Sequence, residues 1–213
     1  MTTDDTGPRP PSLTAPRSAA LAGVAFALLF ATALVLIRIA LPEGREPGSQ
    51  WVAEHSVNMR IAAILMPFAG IAFLWFMGVL RDGMGRYEDK FFATVFLGSG
   101  LLFLAMMFVA VAMGVGLEHS GAAAYPGVAA FGQMTLMTIS KTYALRMAAV
   151  FMISLATIWL RTRLMPRWLS IATYVVAVAV LLAADLSMWS VLIFPAWVLV
   201  VSVQLLAHRP GPH

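Results

Sequence analysis

Apolar residues fall into six long runs, at about 19–41, 61–80, 91–116, 136–160, 168–184 and 188–207, and nearly all charge is gathered in the short stretches between them. Each run is close to the ~20 residues an α-helix needs to cross ~30 Å of hydrocarbon. The pattern predicts an all-α polytopic membrane helix bundle with six transmembrane helices. The fifth run is the shortest, and only Asp185, Leu186 and Ser187 part it from the sixth. The last pair therefore reads as two spans, with a re-entrant hairpin as the other option. Residues 1–18 are polar and Pro-rich (Pro8, Pro10, Pro11, Pro16) and read as a disordered tail, with a second short tail at 208–213. The run at 19–41 is too long for the apolar stretch of a signal peptide and is taken as a retained helix.

Composition sharpens this picture. Hydrophobic residues make up 61% of the 213 positions and charged residues only 11%, where an ordinary soluble domain has roughly a quarter charged. The mean hydropathy is +0.85, so the expected solvent is the lipid bilayer. With no cysteine, disulfides, thiolate nucleophiles and Cys-ligated metals are excluded. A pI near 10.0 would suggest nucleic acid in a soluble protein, but here the cations stand at helix junctions, and no nucleic-acid partner is implied.

Those cations predict an orientation, because cytoplasmic loops are enriched in Lys and Arg. Arg9, Arg17, Arg81, Arg86, Lys90, Arg161, Arg163, Arg167 and Arg209 fall on one side, nine in all, against Arg45 and Arg60 on the other. Both termini are thus expected in the cytoplasm of a plasma-membrane protein, as an even number of spans also requires. Trp51, Trp159, Trp168 and Trp189 lie near span ends, where indoles favour the headgroup layer. Small residues recur at close-packing spacing: Ala19, Gly23, Ala27 and Ala31 in the first helix, Ala62, Gly70 and Gly78 in the second, Gly98 and Gly100 in the third. Pro67 and Pro195 each remove a helical amide donor and predict kinks in the second and sixth spans.

Several short motifs carry a resemblance: Leu80-Arg81-Asp82, Glu88-Asp89-Lys90-Phe91-Phe92 leading into Gly98-Ser99-Gly100, Leu164-Met165-Pro166-Arg167-Trp168-Leu169, and Pro195-Ala196-Trp197. In these the whole chain resembles an uncharacterised actinobacterial six-helix integral membrane protein family, a domain of unknown function. The resemblance implies a six-helix membrane bundle and brings with it no activity, ligand or functional residue.

Candidate chemistry gathers in the outer half. Arg38 is near the outer end of the first span, Glu54, His55 and Arg60 precede the second, and Glu118 and His119 follow the third. Lys141 and Arg146 enter with the fourth, and Asp185 ends the fifth. Arg146 lies 15 residues before Arg161, or ~22 Å at ~1.5 Å per residue, inside the outer boundary of a ~30 Å core. At ~100° per residue Thr135, Thr138, Thr142 and Arg146 fall within about 80° and predict one polar stripe. Intramembrane cations usually face a bundle interior or a water-filled cavity and are paired. Asp185 and Glu118 are the candidate partners, with snorkelling of Arg146 to headgroups or a purely structural ion pair as the plainer reading.

Glu-His-Ser occurs twice, as Glu54-His55-Ser56 and Glu118-His119-Ser120. Two His and several carboxylates suffice for a zinc site with an open position, although adjacent Glu and His do not make a ligand spacing such as His-Glu-x-x-His. No His lies within a span, which disfavours haem held between helices, and Ser99 lacks an evident base. There is no Gly-rich phosphate loop, and the short loops leave no room for a catalytic domain. The expectation is therefore a protein without catalytic activity or cofactor. It would bind or transport a small, anionic ligand through an outward-facing polar cavity lined by Arg38, Thr138, Lys141, Thr142, Arg146 and Asp185. The alternatives are a non-catalytic accessory subunit with a membrane-protein partner, and a membrane metalloenzyme built on Glu54, His55, Glu118 and His119.

Overall fold

The computed structural model describes residues 15–40, 56–84, 90–163, 165–183 and 187–207. Every element among them is helical: α1 (Ala15–Ala40), α2 (Ser56–Met84), α3 (Lys90–His119), α4 (Pro126–Met137), α5 (Leu145–Thr162), α6 (Arg167–Ala183) and α7 (Ile193–Ala207). Short 3₁₀ turns at Ala122–Ala124 and Met188–Leu192 precede α4 and α7, and a π-helical segment, Thr138–Ala144, joins α4 to α5. The architecture is the expected all-α bundle. Five helical stretches are long and apolar enough to cross a membrane, and Arg167–Leu182 is a shorter apolar helix.

The helices are apolar on the outside as well as the inside. Ile64, Phe68, Ile71 and Trp75 form an exposed stripe on α2, and Ile171, Val175, Val178 and Leu182 another on α6. Both follow the i, i+4, i+7, i+11 spacing of one helix face, and apolar patches on this scale mark a surface covered by something other than water. α5 is the most enclosed helix; it packs on α3 and α6, while α1 packs on α2 and α7 and α3 on α2. α6 and α7 are tied through Trp197 Nε1, which donates to Thr173 Oγ1 at 3.0 Å.

The fourth apolar run is part of a continuous 37-residue helical stretch, Pro126–Thr162. It starts ahead of the expected 136 because Pro126 occupies the first helical turn, where its missing N–H costs nothing. Gly127, Gly132, Gln133 and Thr135 dilute the apolar signal there without stopping the helix. Gly121, with φ 67, supplies the left-handed residue that turns the chain out of α3. At the far end Arg163 takes the left-handed conformation, φ 55, and its N–H closes on Trp159 O at 2.9 Å.

The middle of the bundle is an aromatic core. Phe194 of α7 lies 4.6 Å from Phe103, 5.8 Å from Phe73, 5.8 Å from Phe151 and 6.0 Å from Phe26, ring centre to ring centre. α1, α2, α3, α5 and α7 therefore meet at one side chain. Close approach elsewhere depends on three of the expected small residues: a Cβ on Gly23 would fall on Ser202 Oγ and Phe76, one on Gly70 on Phe108, and one on Gly100 on Met77 Sδ and Phe151. Gly78 and Gly98, read from the same spacing, face open space.

Two other expectations are corrected. Trp159 is 2% exposed and its ring lies tilted, 6.3 Å from that of Trp197, so it belongs to the core; Trp168 and Trp189 are exposed as expected, and Trp51 lies outside the described residues. Pro195 does not kink a span. The 3₁₀ turn Met188–Leu192 ends before it and α7 begins at Ile193, so Pro195 sits in the first α-turn, where a proline is tolerated. Pro67 does lie inside α2.

Candidate functional site

Arg38, in the last turn of α1, is the largest fully enclosed side chain among the described residues, at 2% exposure. Removing a guanidinium from solvent is costly, and since Arg stays protonated the cost is met by surrounding acceptors. One of them is Met137 Sδ, which accepts from Nη1 at 2.6 Å. Met137 is the last residue of α4, so the α1 cation is seated directly against the start of the π-helical segment.

That segment has a local cause. Thr135, Thr138, Ser140 and Thr142 place four hydroxyls within eight positions, and such side chains compete for backbone carbonyls and loosen an α-helix. Thr135 Oγ1 donates to Phe131 O at 2.8 Å and Ser140 Oγ to Met137 O at 3.4 Å. Turns closed at i to i+5 are rare and frequently stand at functional sites. They also change which residues share a face. Ser140 and Ala144 are enclosed, Lys141 and Thr142 half-buried, and Thr138 exposed. The stripe expected from ~100° per residue therefore does not survive as one face. Its lower part does: Arg146 is half-buried, and its Nη1 donates to Thr142 O at 2.8 Å. The 3₁₀ turn Met188–Leu192 packs against both α1 and the π-helical segment, with Ser190 and Val191 buried. Arg38, Thr142, Arg146 and this turn thus converge at one end of the bundle. Asp185 lies outside the described residues.

Glu118 does not serve Arg146. Its Oε1 accepts from Arg60 Nε at 2.5 Å, pairing α3 with α2. The Arg60 side chain is 61% exposed and that of Glu118 only 8%. Glu118 Oε2 and Gln133 Oε1 are buried and have no hydrogen-bond partner. His119 is exposed, with Nδ1 3.0 Å from Val115 O. Among the described residues no group of three His, Asp or Glu side chains stands close enough to hold a metal; Glu54 and His55 lie outside them. At the opposite end of the bundle Arg161 lies over the Phe92 ring, 4.7 Å from its centre, a cation–π contact between α5 and α3.

No family model matches the chain, and neither does any curated protein or solved structure.

Proposed function

We propose that this chain is a six-crossing plasma-membrane protein, both termini cytoplasmic, that binds a small anionic ligand from the outer side at the Arg38 end of the bundle. The observation that carries the reading is the coincidence of two unusual features: a fully enclosed arginine and a π-helical segment leading into the most enclosed helix, in direct contact through Met137. Lys141 and Arg146, on and just after that segment, add positive charge. An arginine presents a planar fork that suits carboxylate or phosphate oxygens. Below the site the aromatic core around Phe194 fills the centre of the bundle, which favours a site that holds its ligand over an open conduit.

Orientation rests on the nine-to-two bias of Lys and Arg, and the motif resemblance to six-helix actinobacterial membrane proteins accords with the architecture. A second reading, an accessory subunit, draws on α4, where Val128, Phe131 and Met134 are 53%, 71% and 73% exposed along one face.

A thermal-shift titration of the detergent-purified chain with carboxylates, phosphate and sulfate separates the two. The site reading expects a saturable rise in melting temperature that Arg146→Leu abolishes. A rise that survives in Arg146→Leu contradicts the placement of the site, and no rise with any anion, together with a stoichiometric partner on purification, supports the accessory subunit.

A further inference from the structure

The end of the bundle away from Arg38 carries three arginines within seven positions, Arg161, Arg163 and Arg167, with no acidic residue between them. Arg161 is engaged over the Phe92 ring. Arg163 and Arg167 are exposed, and neither side chain enters an ion pair among the described residues.

Arg163 holds a strained backbone. It ends α5 at φ 55, the left-handed conformation that a helix end ordinarily gives to glycine. Among the described residues it is the one non-glycine residue with positive φ. A β-carbon is disfavoured there, and a strained residue that is kept points to a task for its side chain.

Arg167 opens α6 on the exposed face. At ~100° per residue Arg167, Ile171, Val175, Val178 and Leu182 fall within about 80° of one another, so the apolar stripe of α6 begins at a guanidinium. Trp168, 56% exposed, stands beside it, as indoles do at the headgroup level. α6 has 17 residues, which at ~1.5 Å per residue gives ~25 Å, less than a ~30 Å hydrocarbon core. With α6 in the bilayer, as the six-crossing reading has it, so short a span draws headgroups in toward its ends.

We propose that this end of the bundle holds one anionic phospholipid of the cytoplasmic leaflet. Its phosphate meets the Arg163 and Arg167 guanidinium groups, and an acyl chain lies along Ile171, Val175, Val178 and Leu182. Four residues of chain span at most ~14 Å, short enough for two extended arginine side chains to meet at one phosphate. Guanidinium forks suit phosphate oxygens. A zwitterionic lipid brings a second cation to the same arginines and is disfavoured, and a free phosphate lacks the chains that the stripe receives.

The test is native mass spectrometry of the delipidated full chain in detergent, titrated with dioleoylphosphatidylglycerol or dioleoylphosphatidylcholine. One phosphatidylglycerol should bind about tenfold or more tightly than phosphatidylcholine, and Arg163→Gln with Arg167→Gln should erase the preference, at about fivefold for each arginine. Arg9→Gln with Arg209→Gln removes the same charge from the two tails and should leave the preference in place. Arg163→Gly should weaken phosphatidylglycerol binding about fivefold yet raise the melting temperature in lipid-free detergent, because glycine relieves the left-handed backbone. Equal affinity for the two lipids, an equal loss in the tail variant, or unchanged binding or a lowered melting temperature in Arg163→Gly overturns the proposal. Equally tight binding of chain-free glycerophosphoglycerol would make the site one for a soluble phosphodiester and overturns the lipid. None of these outcomes touches the anion site at Arg38.

Discussion

Arg38→Met should weaken anion binding by about a hundredfold or more, the loss expected when two charge-assisted bonds from one guanidinium disappear. Methionine keeps much of the side-chain length and removes the charge. Arg38→Lys is the informative companion: it keeps the charge but replaces a planar fork with a point charge, so binding should fall by about tenfold and not vanish. Isothermal titration of both variants against the wild type checks this order. Equal affinity in all three would mean that the enclosed arginine supports packing alone. Circular dichroism of the same samples reports whether α1 still docks, because Arg38 is 2% exposed and its loss reaches the contact with Met137.

The second large effect is on stability. Phe194→Ala should lower the unfolding free energy by about 3 kcal/mol, near the lower end for a buried Phe→Ala change. The lower end applies because, for helices that remain in lipid when the bundle comes apart, little apolar surface passes from water and the cost is the cavity and lost ring contacts. Phe194 is fully enclosed and stands within 6.0 Å of rings from α1, α2, α3 and α5. Denaturation in detergent, with Phe131→Ala as the control, measures it. Phe131 is 71% exposed on α4, so its truncation should change stability by less than about 0.5 kcal/mol. Comparable losses at both positions would contradict the central placement of the aromatic core.

Most of the architecture was legible in the chain because lipid-crossing helices announce themselves by length and apolarity, quantities that need no tertiary information. Arg38 and Arg146 were legible for the same reason, as charges set inside apolar runs. Their surroundings were less so. Glu118 was offered as a partner for Arg146 on membrane level alone, but helix rotation decides which side chains meet, and it gives Glu118 to Arg60. The polar stripe assumed a uniform ~100° per residue, and the π-helical segment at Thr138–Ala144 breaks that assumption. Four hydroxyls in eight positions were the signal that could have flagged it. Trp159 read as an interfacial indole from its place near a span end, yet it packs on Trp197, because α7 reaches that level of the bundle. Gln133 gave no sign, since a single amide in a Gly-containing stretch looks like loop chemistry until α4 is seen to pack on α3.

The absence of cysteine from the chain makes one measurement especially clean. Thr142→Cys places a lone thiol on the π-helical segment, beside the Thr142 carbonyl that accepts from Arg146. In intact cells a membrane-impermeant maleimide should label it from outside, and a saturating bound anion should slow that labelling in the Thr142→Cys chain but not when Arg38→Met is added. Labelling that requires permeabilised cells, or proceeds at the same rate with and without the anion, would contradict an outward-facing binding site at Arg38.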